Sequence, residues 1–256
     1  MSLPPFPPGF YPVAVLAILL TGIVKGGFGT GAGGLAVPLM SIYIAPPEAA
    51  GIMLPILCAM DLFGLHAYRG QWSRAHLRAM LPGALLGIGA GAFAFGALPV
   101  NAIRLLLGLI AVLFALNSAF ALTNRLAARL AKPGRVAGFV WGGASGFTST
   151  LAHAGGPPFA IYMLPQRLDK TALAATSVMF FFIVNLVKLV PYGFLGQLNP
   201  GNLATALVFA PLAPLGIWLG VWLHRRTSEA AFYNVSYALL LLTGLKLIWD
   251  ALVPGS

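Results

Sequence analysis

The chain has 256 residues, 59% of them hydrophobic and only 8% charged. A water-soluble domain carries about a quarter charged residues, so 15 basic and 5 acidic side chains cannot clothe this chain in water. The net charge of +10 does not point to nucleic acid either, because the basic residues are scattered over short loops and form no single basic face.

The opening residues, MSLPPFPPGF, hold four prolines and no basic residue. This is unlike a cleaved signal peptide and predicts a non-helical approach to the first span. An apolar run over about 11–24 leads into the glycine-rich KGGFGTGAGG at 25–34, and a second run reaches about 45. Runs follow at about 49–67, 79–97 and 101–122, then a basic stretch at 123–135. Next come 136–147, a break TSTLAHAGGPP at 148–158, and a short run to 164. The last three runs lie at about 171–191, 203–223 and 232–252. Several are long enough to cross about 30 Å of hydrocarbon. Only helices and closed barrels satisfy their backbone in lipid, and the runs lack strand-like alternation. The expectation is an all-α polytopic protein of the lipid bilayer.

Basic residues orient such a chain. Arg69, Arg74 and Arg78 share one loop; Arg125, Arg129, Lys132 and Arg135 share another. Arg167 with Lys170, and Arg225 with Arg226, mark two more. Placing all four loops in the cytoplasm makes 1–48 and 136–165 hairpins that enter and leave on one side, and sets both termini outside. The sequence also echoes itself. Ala32-Gly33-Gly34 before Tyr43 resembles Ala154-Gly155-Gly156 before Tyr162. Gly70-Gln71 and Leu77 match Gly196-Gln197 and Leu203, and PGALLGIGAG at 82–91 matches PLAPLGIWLG at 211–220. This predicts two inverted-topology repeats, 1–122 and 136–256, joined by a basic linker at 123–135. Each repeat holds one broken-helix hairpin and three transmembrane helices, the plan of many secondary transporters.

The two breaks are the candidate site. Non-helical backbone at membrane depth persists only where protein buries it or a wet cavity adjoins it, and a helix starting there directs amide groups and a positive dipole end at an anion. The first break offers Lys25, Gly29, Thr30, Gly31 and Gly33 to a substrate. The second offers Thr148, Ser149, Thr150, His153, Gly155 and Gly156. Tight helix packing is the competing account of so much glycine; Gly83, Gly87 and Gly91, and Gly216 with Gly220, read as packing faces. Asp61 lies mid-run and His153 within the second break; both are candidates for carrying a proton. A structural ion pair for Asp61 and a neutral capping role for His153 compete with that. His66, Asn185 and Lys188 are secondary candidates, with His66 set opposite Lys188 when the hairpins are aligned. Arg104 and Lys246 read as snorkelling residues near helix ends, and Trp72, Trp141 and Trp249 as interfacial anchors. The lone Cys58 reads as a small buried hydrophobe. There is no H-E-x-x-H, no Cys/His cluster of metal-binding spacing and no P-loop, so neither an enzyme, a metal nor a cofactor is expected.

The stretches GIVKGGFGTGAGGLAVPLM at 22–40, GGASGFTSTLAHAGGPPFAIYML at 142–164 and ALLLLTGLKLIW at 238–249 resemble the TauE/SafE sulfite exporter family of bacterial membrane proteins. The resemblance spans nearly the whole chain. It implies a multi-pass transporter of the bacterial plasma (inner) membrane whose partner is a small sulfur-containing anion, such as sulfite or an organosulfonate. The expectation is a secondary transporter driven by an ion gradient through alternating access, compatible with a homo-oligomer. A passive anion channel and a non-transporting binding or assembly protein are the alternatives.

Overall fold

A computed structural model describes residues 6–28, 34–120, 133–224 and 229–253. Among the described residues the regular elements are all helices. Helix α1 (Phe10–Ile23) runs into a π turn (Val24–Phe28), and the short α2 (Ala36–Met40) follows. Then come α3 (Pro46–Ala67), α4 (Arg74–Ala97) and α5 (Val100–Ala119). After the linker come α6 (Arg135–Ala152), α7 (Gly156–Met163) and a 3-10 turn (Leu164–Gln166). The chain continues through α8 (Lys170–Phe194), α9 (Pro200–Phe209), α10 (Leu212–His224) and α11 (Glu229–Leu252).

Local chemistry sets the boundaries. Helix α3 opens on Pro46 and Pro47, which suit a first turn whose N–H groups have no helical partner. It therefore begins ahead of the predicted run at 49. The Asp169 carboxylate accepts from the Thr171 and Ala172 amides at 3.0 and 2.9 Å and starts α8, and Asn199 caps α9 through the Asn202 amide at 2.9 Å. The run at 203–223, predicted as one span, is instead bent by 44° between α9 and α10. Pro211 has no N–H to donate and its ring collides with the carbonyl four residues earlier, so the Ala210 amide closes a tight turn onto the Leu207 carbonyl at 3.3 Å.

Four described helices are long and apolar enough to cross a membrane: Pro46–His66, Arg74–Ala97, Val100–Asn117 and Thr171–Phe194, with the α9–α10 pair a fifth if counted as one span. Large side chains such as Phe93, Phe194, Leu207 and Leu113 point outward and exposed, as a lipid-facing surface requires. The chain is thus an all-helical, multi-pass membrane protein.

Its tightest helix pair is α4 against α6. A Cβ at Gly83 would stand 1.8 Å from the Phe139 carbonyl oxygen, and one at Gly87 2.0 Å from that of Gly143. From the other side, Gly142 and Gly146 would meet the Met80 and Ala84 carbonyl oxygens at 2.1 and 2.2 Å. The small-residue stripe is a packing face, as the sequence predicts. Gly216 of α10 likewise presses on Gly22 of α1, and Gly108 of α5 on Gly244 of α11. Helix α3 packs on α8. The matched Gly70 and Gly196 both take left-handed backbone, at φ 79° and 70°, a conformation that suits glycine.

Candidate functional site at the meeting of the two breaks

The two breaks touch: a Cβ on Gly34 would lie 2.5 Å from that of Ala154. Gly29, Thr30, Gly31 and Gly33 lie outside the described residues. The second break is shorter than the predicted 148–158, because α6 continues to Ala152. Gly142, Gly143 and Gly146 do not stop this helix, since α4 packs directly on them. Thr148 and Thr150 are therefore helical, and their hydroxyls donate to the carbonyls of Ala144 (2.9 Å) and Gly146 (2.8 Å). Such back-bonding satisfies a hydroxyl within its own helix.

The turn itself is made by His153, which ends α6 in the left-handed region at φ 51°. Its amide donates to the Ser149 carbonyl, and the Ala154 amide to the Thr148 carbonyl. Gly155 follows because any Cβ there would sit 2.8 Å from Ser145, whose hydroxyl donates to the Gly155 carbonyl at 2.8 Å. Pro157 and Pro158 carry no N–H, so the first turn of α7 offers only the Gly155 and Gly156 amides to a ligand. A left-handed non-glycine residue costs about 1–2 kcal/mol. His153→Gly is accordingly expected to survive heating better than His153→Ala, scored as monodisperse protein remaining after a temperature ramp; the reverse order would show that the backbone at 153 is not the constraint.

Around this turn lies a buried polar cluster. Lys188, fully buried in α8, donates to the Ser149 carbonyl (3.0 Å), to the Ser149 hydroxyl (3.1 Å) and to His153 Nδ1 (2.7 Å). Three acceptors match the three hydrogens of an ammonium group. The Ala50 carbonyl, 3.0 Å from His153 Nε2, can only accept, so Nε2 carries the hydrogen and Nδ1 presents its lone pair to Lys188. That arrangement is a neutral histidine with both nitrogens engaged. One turn beyond Lys188, the buried Tyr192 donates to the Thr150 carbonyl at 2.5 Å.

The other side of the cluster belongs to Asp61. Lys25 of the π turn forms an ion pair with one carboxylate oxygen, and Asn185 donates to the other at 2.6 Å. Asp61 is 3% exposed and the Lys25 side chain 22%. Both oxygens accept, as an ionised carboxylate must. Of the sequence candidates, Lys25, Asp61, Ser149, His153, Asn185 and Lys188 thus converge. Among the described residues the cluster holds two lysines against one carboxylate, and no carboxylate contacts Lys188. His66 stands apart, exposed in the last turn of α3; alignment on the Gly70 and Gly196 turns sets it opposite Tyr192, one turn past Lys188. Lys246 pairs with Asp250 at 2.8 Å on the same face of α11.

Sequence reasoning missed Tyr192, Ser145 and the Ala50 carbonyl. Tyr192 had a signal, since Asn185, Lys188 and Tyr192 recur at helical spacing on one face. A backbone acceptor such as Ala50 leaves none.

The model of one protein family, described as sulfite exporter TauE/SafE, matches residues 14–247. No curated protein and no solved structure matches the chain. The matched region takes in both breaks and every residue of the buried cluster: the chain belongs to the sulfite exporter TauE/SafE family of membrane transporters.

Proposed function

We propose that the protein is a secondary transporter that exports a small sulfur-containing anion, sulfite or an organosulfonate, from a bacterial cytoplasm by ion-gradient-driven alternating access. The observation that carries this reading is Lys188: a fully buried amine, beside the junction of the breaks, whose direct partners among the described residues are neutral acceptors and not a carboxylate. An isolated buried charge is costly, and an anion entering beside it offsets that cost. The Gly155 and Gly156 amides at the start of α7 add donors from the same side. The described packing also supports two inverted repeats, 1–122 and 136–256. Helix α6 lies on α4 as α1 lies on α10, while α3 meets α8 and α5 meets α11. Exchanging the two halves leaves these contacts in place. In the proposed orientation both termini are extracytoplasmic.

Purified protein in proteoliposomes loaded with labelled sulfite is expected to show saturable flux with counterflow, accelerated by an imposed pH gradient. Rapid flux without counterflow would replace the carrier with a passive anion channel. Absence of flux for sulfite and for sulfonates would leave a binding or assembly protein.

A further inference from the structure

We infer that Asp61 is an internal substitute for the transported anion, and that a proton landing on Asp61 hands Lys25 over to the substrate. The inference rests on the proposed anion site and assigns it a coupling device. In the structure described here, Lys25 is neutralised by Asp61, whose second oxygen is held by Asn185. An anion approaching the first break meets an occupied lysine and a carboxylate of its own sign. Protonating one Asp61 oxygen cancels that charge while Asn185 retains the other oxygen. Lys25 keeps its three protons and turns to the anion. Proton and anion then bind together, each raising the affinity of the other by the same factor.

The surroundings single out Asp61 as the proton acceptor. Among the described residues, the groups within electrostatic reach of it are Lys25 from the π turn, Lys188 from α8 and Cys58 one turn earlier on α3, with Asn185 in direct contact. Of the other helices packed on α3, α2 and α9 carry no charged or histidine side chain, α5 has only Arg104 near its start, α6 has only Arg135 at its far end and α10 only His224 at its last residue. His153 reaches this region through Lys188, but it is a poor acceptor. Its Nε2 hydrogen is committed to Ala50, and a proton on Nδ1 would set a second positive charge 2.7 Å from the Lys188 ammonium. Like charges that close exclude one another.

The test is sulfite binding to purified protein across pH, by calorimetry, comparing the parent with Asp61→Asn. Sulfite itself titrates near neutrality, so the readout is the difference between the two slopes. The parent is expected to lose about tenfold more affinity per pH unit than Asp61→Asn, the mark of one linked proton, over the range in which Asp61 is ionised. At the upper end of that range Asp61→Asn is expected to bind more tightly than the parent. Should Asp61→Asn not fold, Lys25→Gln/Asp61→Asn removes both charges of the pair; it is expected to lack the extra slope and, at the lower end of the range, to bind about tenfold or more weakly than the parent. Parent binding with a slope equal to that of either variant overturns the inference alone. A parent that binds no sulfite at any pH overturns the proposed anion site as well.

Discussion

Lys188→Met protein is expected to insert and purify as the parent does, yet to bind sulfite about 10- to 100-fold more weakly. The magnitude follows from losing the attraction between the lysine charge and an anion roughly 6–10 Å away, about 1.5–3 kcal/mol at an effective dielectric of about 20. Methionine nearly fills the volume of the lysine stem, so no large cavity forms among Ser149, His153 and Tyr192. Removing a buried charge relieves its desolvation, while His153 Nδ1 loses its donor and the Ser149 carbonyl keeps only the His153 amide; these opposed effects leave stability close to the parent's. The measurement is sulfite-dependent protection against heat, read beside the melting behaviour without ligand. Unchanged protection in a well-folded Lys188→Met protein would take Lys188 out of the anion site.

The second large effect lies away from the site. Gly146→Leu is expected to abolish the monodisperse protein obtained in detergent, and Gly142→Leu to do the same. The atoms in the way are the Ala84 and Met80 carbonyl oxygens, 2.2 and 2.1 Å from the built Cβ positions. They are backbone, so no rotamer change makes room, and α4 must move off α6. Overpacking of even adaptable cores costs about 1–3 kcal/mol, a large share of a total stability of about 5–15 kcal/mol. Gly89, where a Cβ meets nothing within 4 Å, supplies the control: Gly89→Ala is expected to yield protein indistinguishable from the parent in size-exclusion profile. Normal recovery of Gly146→Leu would show that the α4–α6 contact is not what holds the helices together.

The membrane class and the approximate spans were legible because composition and run length act on whole segments. Boundaries were less so. Proline signals a helix start at Pro46 and a bend at Pro211 with the same side chain, and only the neighbouring elements decide which. The second break is shorter than its composition suggests for a related reason. Glycine loosens an isolated helix, but Gly142, Gly143 and Gly146 are held helical by α4, and that partner lies far off in sequence. The site was legible as a set of candidates without its pairings. Lys25 and Asp61, or Lys188 and Ser149, stand at no spacing that marks them as partners. Their juxtaposition depends on the π turn meeting α3 and on α8 meeting α6, and no short-range pattern encodes it.

Helix α3 reaches both breaks. Its Ala50 carbonyl holds His153 at one point, and three turns on, roughly 16 Å along the axis, its Asp61 holds Lys25. The two fastenings are unequal. Parting the histidine from α3 forfeits one uncharged hydrogen bond, whereas parting the lysine strands a carboxylate in a nearly dry interior. The rod is therefore riveted to the first break and only clipped to the second, so thermal motion between the two will work the clip long before it strains the rivet.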